Sequence, residues 1–445
     1  MDIEGNSSFP ARSYSAVAVL LLFSNHINWR LIRIKTVIQG FTGPFRNVPG
    51  PWYTRFTSIP LTWATVKGRR MFFVHALHQK YGDMVRVAPN MINCNDPAMF
   101  RQIHRHSNGF EKSQWYQRFA NTTDVDENHA LFNMSSPRTH AARRKLMARA
   151  FSKTEIRKNW EGEIRHKIDL TLDKMGKAAR MHPTGEVDCQ KWWMMMAADV
   201  SSKITFGESF DMLEEGVPDV PQENKYFDAI SHMAEANTIL AEVPNLDFVV
   251  KLGIPFIQRL FKITETVLEL AALTVAKSKS GTARAGNIFT GIIAEAEKNN
   301  SRLSDLVLSR EARSLIIAGT DTTAITMSFI LFRVLSQPQL RDDLVAELTQ
   351  QKERKDGFSD EELEKLPLLN ATIQETLRLH GPIPSSLPRV PPPGGTTVGG
   401  VYIPDSAVVT TQAWSLHRHP RIWKSPDEYV LQIHPYCGSE LTLFV

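Results

Sequence analysis

Two polar stretches set into otherwise apolar helical sequence are where this chain of 445 residues could do chemistry. The first, Leu315-Ile316-Ile317-Ala318-Gly319-Thr320-Asp321-Thr322-Thr323-Ala324-Ile325, sits at the centre of a helical stretch over 303–335 closed by Pro338. A glycine inside a helix forfeits about 1 kcal/mol against alanine, and a buried aspartate must find a partner. Threonine hydroxyls compete for backbone carbonyls and can open the ladder locally. Small residues at 318 and 319 let something flat approach the backbone. An acid beside an alcohol, Asp321 next to Thr322, is what proton delivery to a bound ligand requires. The same residues would equally serve as a packing notch for a crossing helix. The second stretch is a helix over 368–380, opening after Pro367, in which Glu375 and Arg378 share a face. On a solvated face such a pair contributes little. If buried it is costly unless further hydrogen bonds complete it. Leu377, Leu379 and the run 382–393, with six prolines in twelve residues, lean towards burial.

The elements that must position these residues are mostly helical. Helical periodicity dominates 67–380, with one exception: 84–94 alternates, turns at Pro89-Asn90 and alternates again, which predicts a short hairpin. A second extended region covers about 396–411. The fold class is therefore mainly α with a minor β-sheet, in one large body with no repeat of solenoid period. Ahead of it, Gly43 to Trp52 holds three prolines and two glycines in ten residues and reads as a stiff linker. The longest early apolar run, Ala16 to Phe23, has eight residues, where a spanning helix needs about 20. Ile27, Leu31, Ile34 and Ile38 recur at helical spacing beside Arg30, Arg33 and Lys35. Such a helix either lies in a membrane interface or packs on the body.

Composition narrows the classes. At 42% hydrophobic and 22% charged the chain is an ordinary globular one. Its three cysteines, Cys94, Cys189 and Cys437, cannot form a disulfide framework, and no CxxC offers a zinc site. Cys94 on a strand and Cys189 before Trp192-Trp193 read as small buried residues. A net charge of +5 suits an anionic membrane or an acidic partner. Without a Lys/Arg tract interleaved with aromatics, no nucleic-acid partner is expected. P-loop, GxGxxG, HExxH and GxSxG signatures do not occur.

Taken jointly and in order, the motifs resemble a cytochrome P450, a haem-thiolate monooxygenase of the fungal membrane-associated kind. The resemblance runs from about residue 43 to Glu428. Val48-Pro49-Gly50-Pro51 resembles the stiff segment after the family's membrane anchor, and Phe110-Glu111-Lys112-Ser113 with Trp115 the helix before the haem-facing one. His140-Ala141-Ala142-Arg143-Arg144-Lys145 resembles the helix that holds haem propionates, which implies His140 and Arg144 for that role. Ala318 to Thr323 is similar to the oxygen-activation motif. There Asp321 and Thr322 would relay protons, while Ala318 and Gly319 would leave room over the haem. Glu375 and Arg378 match the ExxR pair of the haem-binding core, and Arg389 resembles the strand arginine that reaches a propionate. Gln412 to Arg418, followed by Pro420, resembles the segment before the family's aromatic-Arg loop. The resemblance implies haem as cofactor, electrons from NADPH through an NADPH–P450 reductase, an apolar small-molecule substrate from fungal secondary metabolism, and the endoplasmic reticulum membrane, cytosolic face. It divides the chain into a membrane-associating segment 1–42, a hinge 43–66, a body 67–428 and a tail 429–445. It also suggests that 229–261, with Met233, Ile239, Leu240, Val243, Leu246 and Phe248, shapes a pocket entrance, although helix packing accounts for most of these residues.

The tail departs from the family. Neither the Phe-x-Pro-Glu-Arg-Phe stretch nor Phe-x-x-Gly-x-Arg-x-Cys-x-Gly is present. Around Cys437, Pro435 stands where Arg is expected, Ile433 where Gly is, Val430 where Phe is, and Ser439 where Gly is. No residue then matches the iron-ligand motif, and thiolate ligation is what favours O–O cleavage. Two readings follow: a monooxygenase whose tail reflects a changed reading frame or gene model, or a non-catalytic relic of one.

Overall fold

The computed structural model describes residues 37–105, 108–122, 124–215, 225–243, 253–280, 286–301, 303–350 and 358–431. The apolar run 16–23, most of the basic amphipathic stretch, Leu246, Phe248 and Cys437 lie outside the described residues. Eight helices frame the site: α1 (Arg70–Tyr81), α2 (Trp115–Phe119), α3 (Pro137–Ala148), α4 (Cys189–Phe206), α5 (Lys225–Glu242), α6 (Pro255–Lys279), α7 (Asp305–Ser336) and α8 (Pro367–His380). Seven strands accompany them: β1 (Met84–Ala88), β2 (Met91–Cys94), β3 (Glu111–Lys112), β4 (Arg389–Val390), β5 (Thr396–Val398), β6 (Val401–Ile403) and β7 (Val408–Thr411). The fold is mainly α with a minor sheet, as the periodicity predicts.

The expected hairpin forms as β1 and β2, antiparallel. β2 then pairs in parallel with β7, giving a sheet of order β1-β2-β7-β4-β3, while β5 and β6 make a separate ribbon. The resemblance places 110–115 on a helix. Glu111 and Lys112 instead pair with β4, and helix begins only at Trp115. The proline-rich stretch is likewise more than a linker. Phe45 and Val48 are buried in the sheet core with Ile92 and Val409, and the Arg86 N–H donates to Pro49 O at 2.8 Å. Gly50 permits this contact, because a Cβ there would stand 2.6 Å from Arg86 O. Proline fixes an extended path without forbidding its apolar neighbours from packing.

α7 starts where Ser304 caps Val307 N–H and stops before Pro338. By length and composition it could cross a bilayer, yet it packs on α4, α5, α6 and α8 and is the central helix of the body. Its most extensive partner is α4, whose Trp192, Trp193 and three successive methionines are buried. The two helices cross at Gly319, where a Cβ would stand 2.2 Å from Ser201 Oγ and 2.8 Å from its Cβ. Met233, Ile239 and Leu240 of α5, with Val243 just after it, are buried in the same core. They are packing residues and shape no entrance.

The last described segment is tied to α8 by Arg378. Its Nε and Nη2 donate to the two oxygens of Glu375 at 2.7 Å each. Nη1 donates to His417 O and Pro426 O, and Nη2 also to Glu428 O, all at 2.8 Å. All five guanidinium N–H groups are thereby used. Glu375 accepts a further bond from Val430 N at 2.9 Å, and Tyr429 Oη donates to Thr372 O at 2.9 Å. The contacts with α8 thus continue through Val430.

Replacing Arg378 by Leu strands a buried carboxylate and is expected to cost about 3–5 kcal/mol, with Arg378→Lys intermediate because an ammonium keeps the charge but offers three donors. Urea unfolding of the three proteins measures this, and an unchanged midpoint for the Leu variant would refute it. Gly319→Ala is expected to lose about 1–3 kcal/mol through overpacking and to recover when Ser201→Gly is added; additive losses in the double variant would show that the two residues do not meet.

Candidate functional site

A cavity of about 1450 Å³ lies between α7, α3, α5, α2 and the segment 382–390. On α7, Ala318, Asp321 and Thr322 follow the i, i+3, i+4 spacing that stacks residues on one helical face, and all three line it. Thr322 Oγ1 donates to Ala318 O at 2.8 Å, and Thr320, facing the core, donates to Ile316 O at 2.8 Å. These bonds keep the threonines satisfied within the helix, so the helix continues unbroken through the motif. Asp321 receives no hydrogen bond from a described residue, and burial holds its carboxyl above the usual range. Gly319 belongs to the other face, against Ser201, and so is placed away from the role the resemblance implies. The motif is a packing notch at 319 and a cavity wall at 318, 321 and 322.

α3 begins at Pro137 with Ser136 as cap. It brings His140 and Arg144, one turn apart, to the cavity. Arg143 between them turns inward and pairs with Glu311 of α7 at 2.6 Å, both side chains being buried. Glu311 also accepts Leu131 N–H on both oxygens, at 3.0 and 3.1 Å. Burial raises its pKa while Arg143 pulls it down. Arg389 does not line the cavity, although Pro388 and Val390 beside it do. Its Nη1 donates to Tyr116 Oη at 2.7 Å, so it meets the cavity through that tyrosine. Glu375 and Arg378 lie in the α8 hub and outside the cavity lining.

Several cavity residues went unread in the sequence. Ala234, Thr238, Ala241 and Glu242 form the cavity face of α5, opposite the apolar face that attracts attention. Trp115 and Phe119 stack at 5.1 Å, with Phe132 edge-on to Phe119 at 5.8 Å, making an aromatic wall. Glu242 accepts Trp115 Nε1–H at 2.9 Å and pairs with Arg70, the first residue of α1. The available signal was a glutamate closing a spacing of small residues and a threonine, Ala234, Thr238, Ala241 and Glu242, but its partners lie on other elements.

Haem is a flat ring with an acidic edge, and the described residues fit it in two respects. Ala318 is exposed on the α7 wall and leaves the backbone open to a flat group. Arg144 and His140 offer cationic and hydrogen-bonding groups for carboxylates. Neither Cys94 nor Cys189 lines the cavity. Cys94 is in the sheet core, where burial pushes its thiol up to about 12, and Cys189, half-buried at the start of α4 rather than in the core, also has a raised pKa. No cluster of three His, Cys, Asp or Glu able to hold a metal occurs among the described residues.

The family model for cytochrome P450 matches residues 49–432. The cytochrome P450 monooxygenase aflV of Aspergillus parasiticus is 34% identical over 411 residues, covering 90% of this chain and 78% of that protein. The cytochrome P450 monooxygenase stcB of Emericella nidulans is 35% identical over 395 residues, or 87% and 72% of the two chains. A methylphloroacetophenone oxidase of Cladonia uncialis is 27% identical over 430 residues, 93% and 91% of the two. A match running from the proline-rich stretch through the α7 motif to the Glu375–Arg378 hub, with fungal monooxygenases alike over that length, makes this chain a member of the cytochrome P450 family of haem-dependent oxidoreductases.

Proposed function

We propose that the cavity is a monooxygenase site for an apolar small molecule of fungal secondary metabolism. The observation that carries this reading is that one cavity joins Ala318, Asp321 and Thr322 on one wall to His140 and Arg144 on another. Haem, when bound, supplies the activation of dioxygen. His140 and Arg144 would hold its carboxylates, and Arg389 would fix Tyr116 beside them. The Asp321 carboxyl, raised by burial, holds a proton at Oδ over a wider pH range than an exposed aspartate does. Thr322 Oγ1 has its hydrogen on Ala318 O and keeps lone pairs for a hydrogen bond from ligand or water. Trp115, Phe119 and Phe132 exclude water and stack on flat apolar ligands. The name of the Cladonia relative, an oxidase of an aryl ketone, supports an aromatic ketone as the substrate class.

Electrons come, in this reading, from NADPH through the P450 reductase. The location is the endoplasmic reticulum membrane, with the body on the cytosolic face. Phe41, Trp52, Ile59 and Trp63 support it, being exposed apolar side chains close in sequence near the start of the described chain. In this reading the chain divides into a membrane-associating segment 1–42, a hinge 43–66, a body 67–428 and a tail 429–445.

A second reading, that this chain does not ligate haem iron through a thiolate, is favoured by the absence of a cavity cysteine among the described residues and by the unmatched surroundings of Cys437. The reduced, carbon-monoxide-bound difference spectrum of the full chain supplied with haem is expected to show no thiolate-type Soret band. A band that disappears in Cys437→Ala would overturn this reading and assign Cys437 as the ligand. The raised Asp321 pKa predicts the sign of a stability change. Between the unfolded and the folded pKa the native state binds the extra proton, so the group stabilises at low pH and the contribution is lost as pH rises through the folded pKa. Asp321→Asn should therefore be more stable than the parent at pH 7, with the gain vanishing below about pH 4; a gain that is constant with pH would contradict the assignment.

A further inference from the structure

One member of the aromatic wall is held in place by a charge beside it. Phe132 sits in a turn over Leu131 to Asn133 and is 39% exposed, so regular secondary structure and burial do not hold it by themselves. The turn is gripped from two sides instead. On one side Glu311 of α7 accepts Leu131 N–H. On the other, Lys112 Nζ donates to Leu131 O at 3.1 Å and to Phe132 O at 2.7 Å. Lys112 is itself placed by the sheet, opposite Arg389 where β3 pairs with β4. Its ammonium lies 5.5 Å from the Tyr116 ring and 5.7 Å from the Phe132 ring. Lys112, Leu131 and Phe132 all line the cavity. A charged donor makes a hydrogen bond about twice as strong as a neutral one, so the grip depends on the ammonium. Burial and the neighbouring Arg389 lower its pKa to about 8, against the pull of Asp126 and Glu311, whereas a lysine in water ionises near about 10.4. Tyr116 is held high by burial. Asp126 is held low, despite burial, by Thr139 and the Ser135 and Ser136 N–H groups, so neither changes charge near pH 8.

We propose that Lys112 is a positioning residue whose grip on the Leu131 and Phe132 carbonyls sets Phe132 in the aromatic wall, and with it the cavity's preference for flat ligands. This rests on the reading of the cavity as a site for an apolar small molecule, and adds what selects a planar one. Phe132 stands edge-on to Phe119 at 5.8 Å and to Tyr116 at 5.2 Å, a geometry that requires its ring plane to be held. When the turn is released the ring is free to swing towards solvent, and the wall is left to Trp115 and Phe119. A puckered, saturated ligand gains little from an ordered wall and so loses little with it. Loss of the Lys112 proton to solvent leaves a neutral amine and loosens the same grip.

Isothermal titration of the full chain with 2-naphthylmethanol and its saturated counterpart, decahydro-2-naphthylmethanol, tests this without need of turnover, since neither probe changes charge near pH 8. At pH 7 the parent is expected to bind the flat probe about tenfold tighter, the equivalent of one or two aromatic contacts. Lys112→Met should reduce that preference to about twofold, while Lys112→Arg, which keeps charge and donors, should retain most of it. Raising the pH from about 7 to about 9 should lower the preference in the parent, spare it in Lys112→Arg and change nothing in Lys112→Met. A preference that survives Lys112→Met overturns the inference. So does a pH dependence that persists there, which would belong to Glu311 or Asp321. A Lys112→Arg protein no better than Lys112→Met would show the contact to be packing rather than charge, and overturns it as well. If Lys112→Met does not fold, the parent and Lys112→Arg decide across pH 8, and equal pH dependence in the two overturns the inference. Binding of both probes without preference at pH 7 also overturns it and leaves the apolar-cavity reading standing. Binding of neither probe overturns both.

Discussion

A guanidinium buried to 4% exposure is the constraint from which the rest of the architecture can be followed. Water cannot solvate Arg378, so each of its five N–H groups needs an acceptor inside the protein, and an uncompensated charge there would cost several kcal/mol. Glu375 supplies two, but the other three come from backbone carbonyls at 417, 426 and 428. A segment without helix or strand is thereby held on α8, and it answers in kind. His417 Nδ1 contacts Arg378 O at 3.0 Å, Arg418 donates to Leu379 O at 2.8 Å, and the Arg378 guanidinium stands 4.8 Å from the Trp423 ring. The end of α8 is tied to the central helix in turn. His380 stacks on Phe329 at 4.3 Å and accepts from Arg333 of the same helix. One buried charge is thus linked through two helices to the wall on which Asp321 and Thr322 sit.

That wall shows how a single helix serves packing and chemistry at once. Over Gly319 to Thr322 its successive residues face α4, the core and then the cavity. Close approach to Ser201 demands a glycine at 319, and the core demands a hydroxyl at 320 that can be satisfied by its own helix. The cavity face is then left with a carboxyl that receives no hydrogen bond from a described residue and whose pKa burial raises. Thr320 and Thr322 return their hydroxyls to carbonyls four residues back, so they cost the helix little, whereas Asp321 receives no hydrogen bond from a described residue. A proposed proton-holding group is therefore the least satisfied residue of its turn, as expected where stability is given up for function.

The elements legible in the sequence were those whose signal is local. The hairpin at 84–94, the helix over the Gly319 motif and the helix of Glu375 and Arg378 all follow from spacing within one element. The burial of that pair also followed, from its apolar neighbours. Contacts between elements left no such trace. Arg143 and Glu311 are 168 residues apart, and Arg70 and Glu242 are 172 apart; no periodicity connects them. On α5 the pattern revealed two faces but not their surroundings, so Met233 and Ile239 drew the functional reading while Thr238 and Glu242 held the cavity. Composition misled at 43–52 for a related reason. Prolines and glycines report backbone path, whereas Phe45 and Val48 decide whether that path is anchored.

The cavity's polar groups, seen together, define an orientation. The Arg70–Glu242–Trp115 cluster belongs to α1, α5 and α2, while Asp321 and Thr322 belong to α7 and His140 and Arg144 to α3. The aromatic wall between them is apolar and accepts a flat body in many positions, since stacking fixes distance better than direction. Direction has to come from groups whose hydrogen bonds point one way and whose own positions are locked. Arg70 meets both conditions, because Glu242 holds one side of its guanidinium and Trp115 holds Glu242. The cluster is therefore a fixed polar point beside the aromatic wall. In such a cavity a ligand that leaves a buried donor unmatched is penalised more than one that matches it is rewarded.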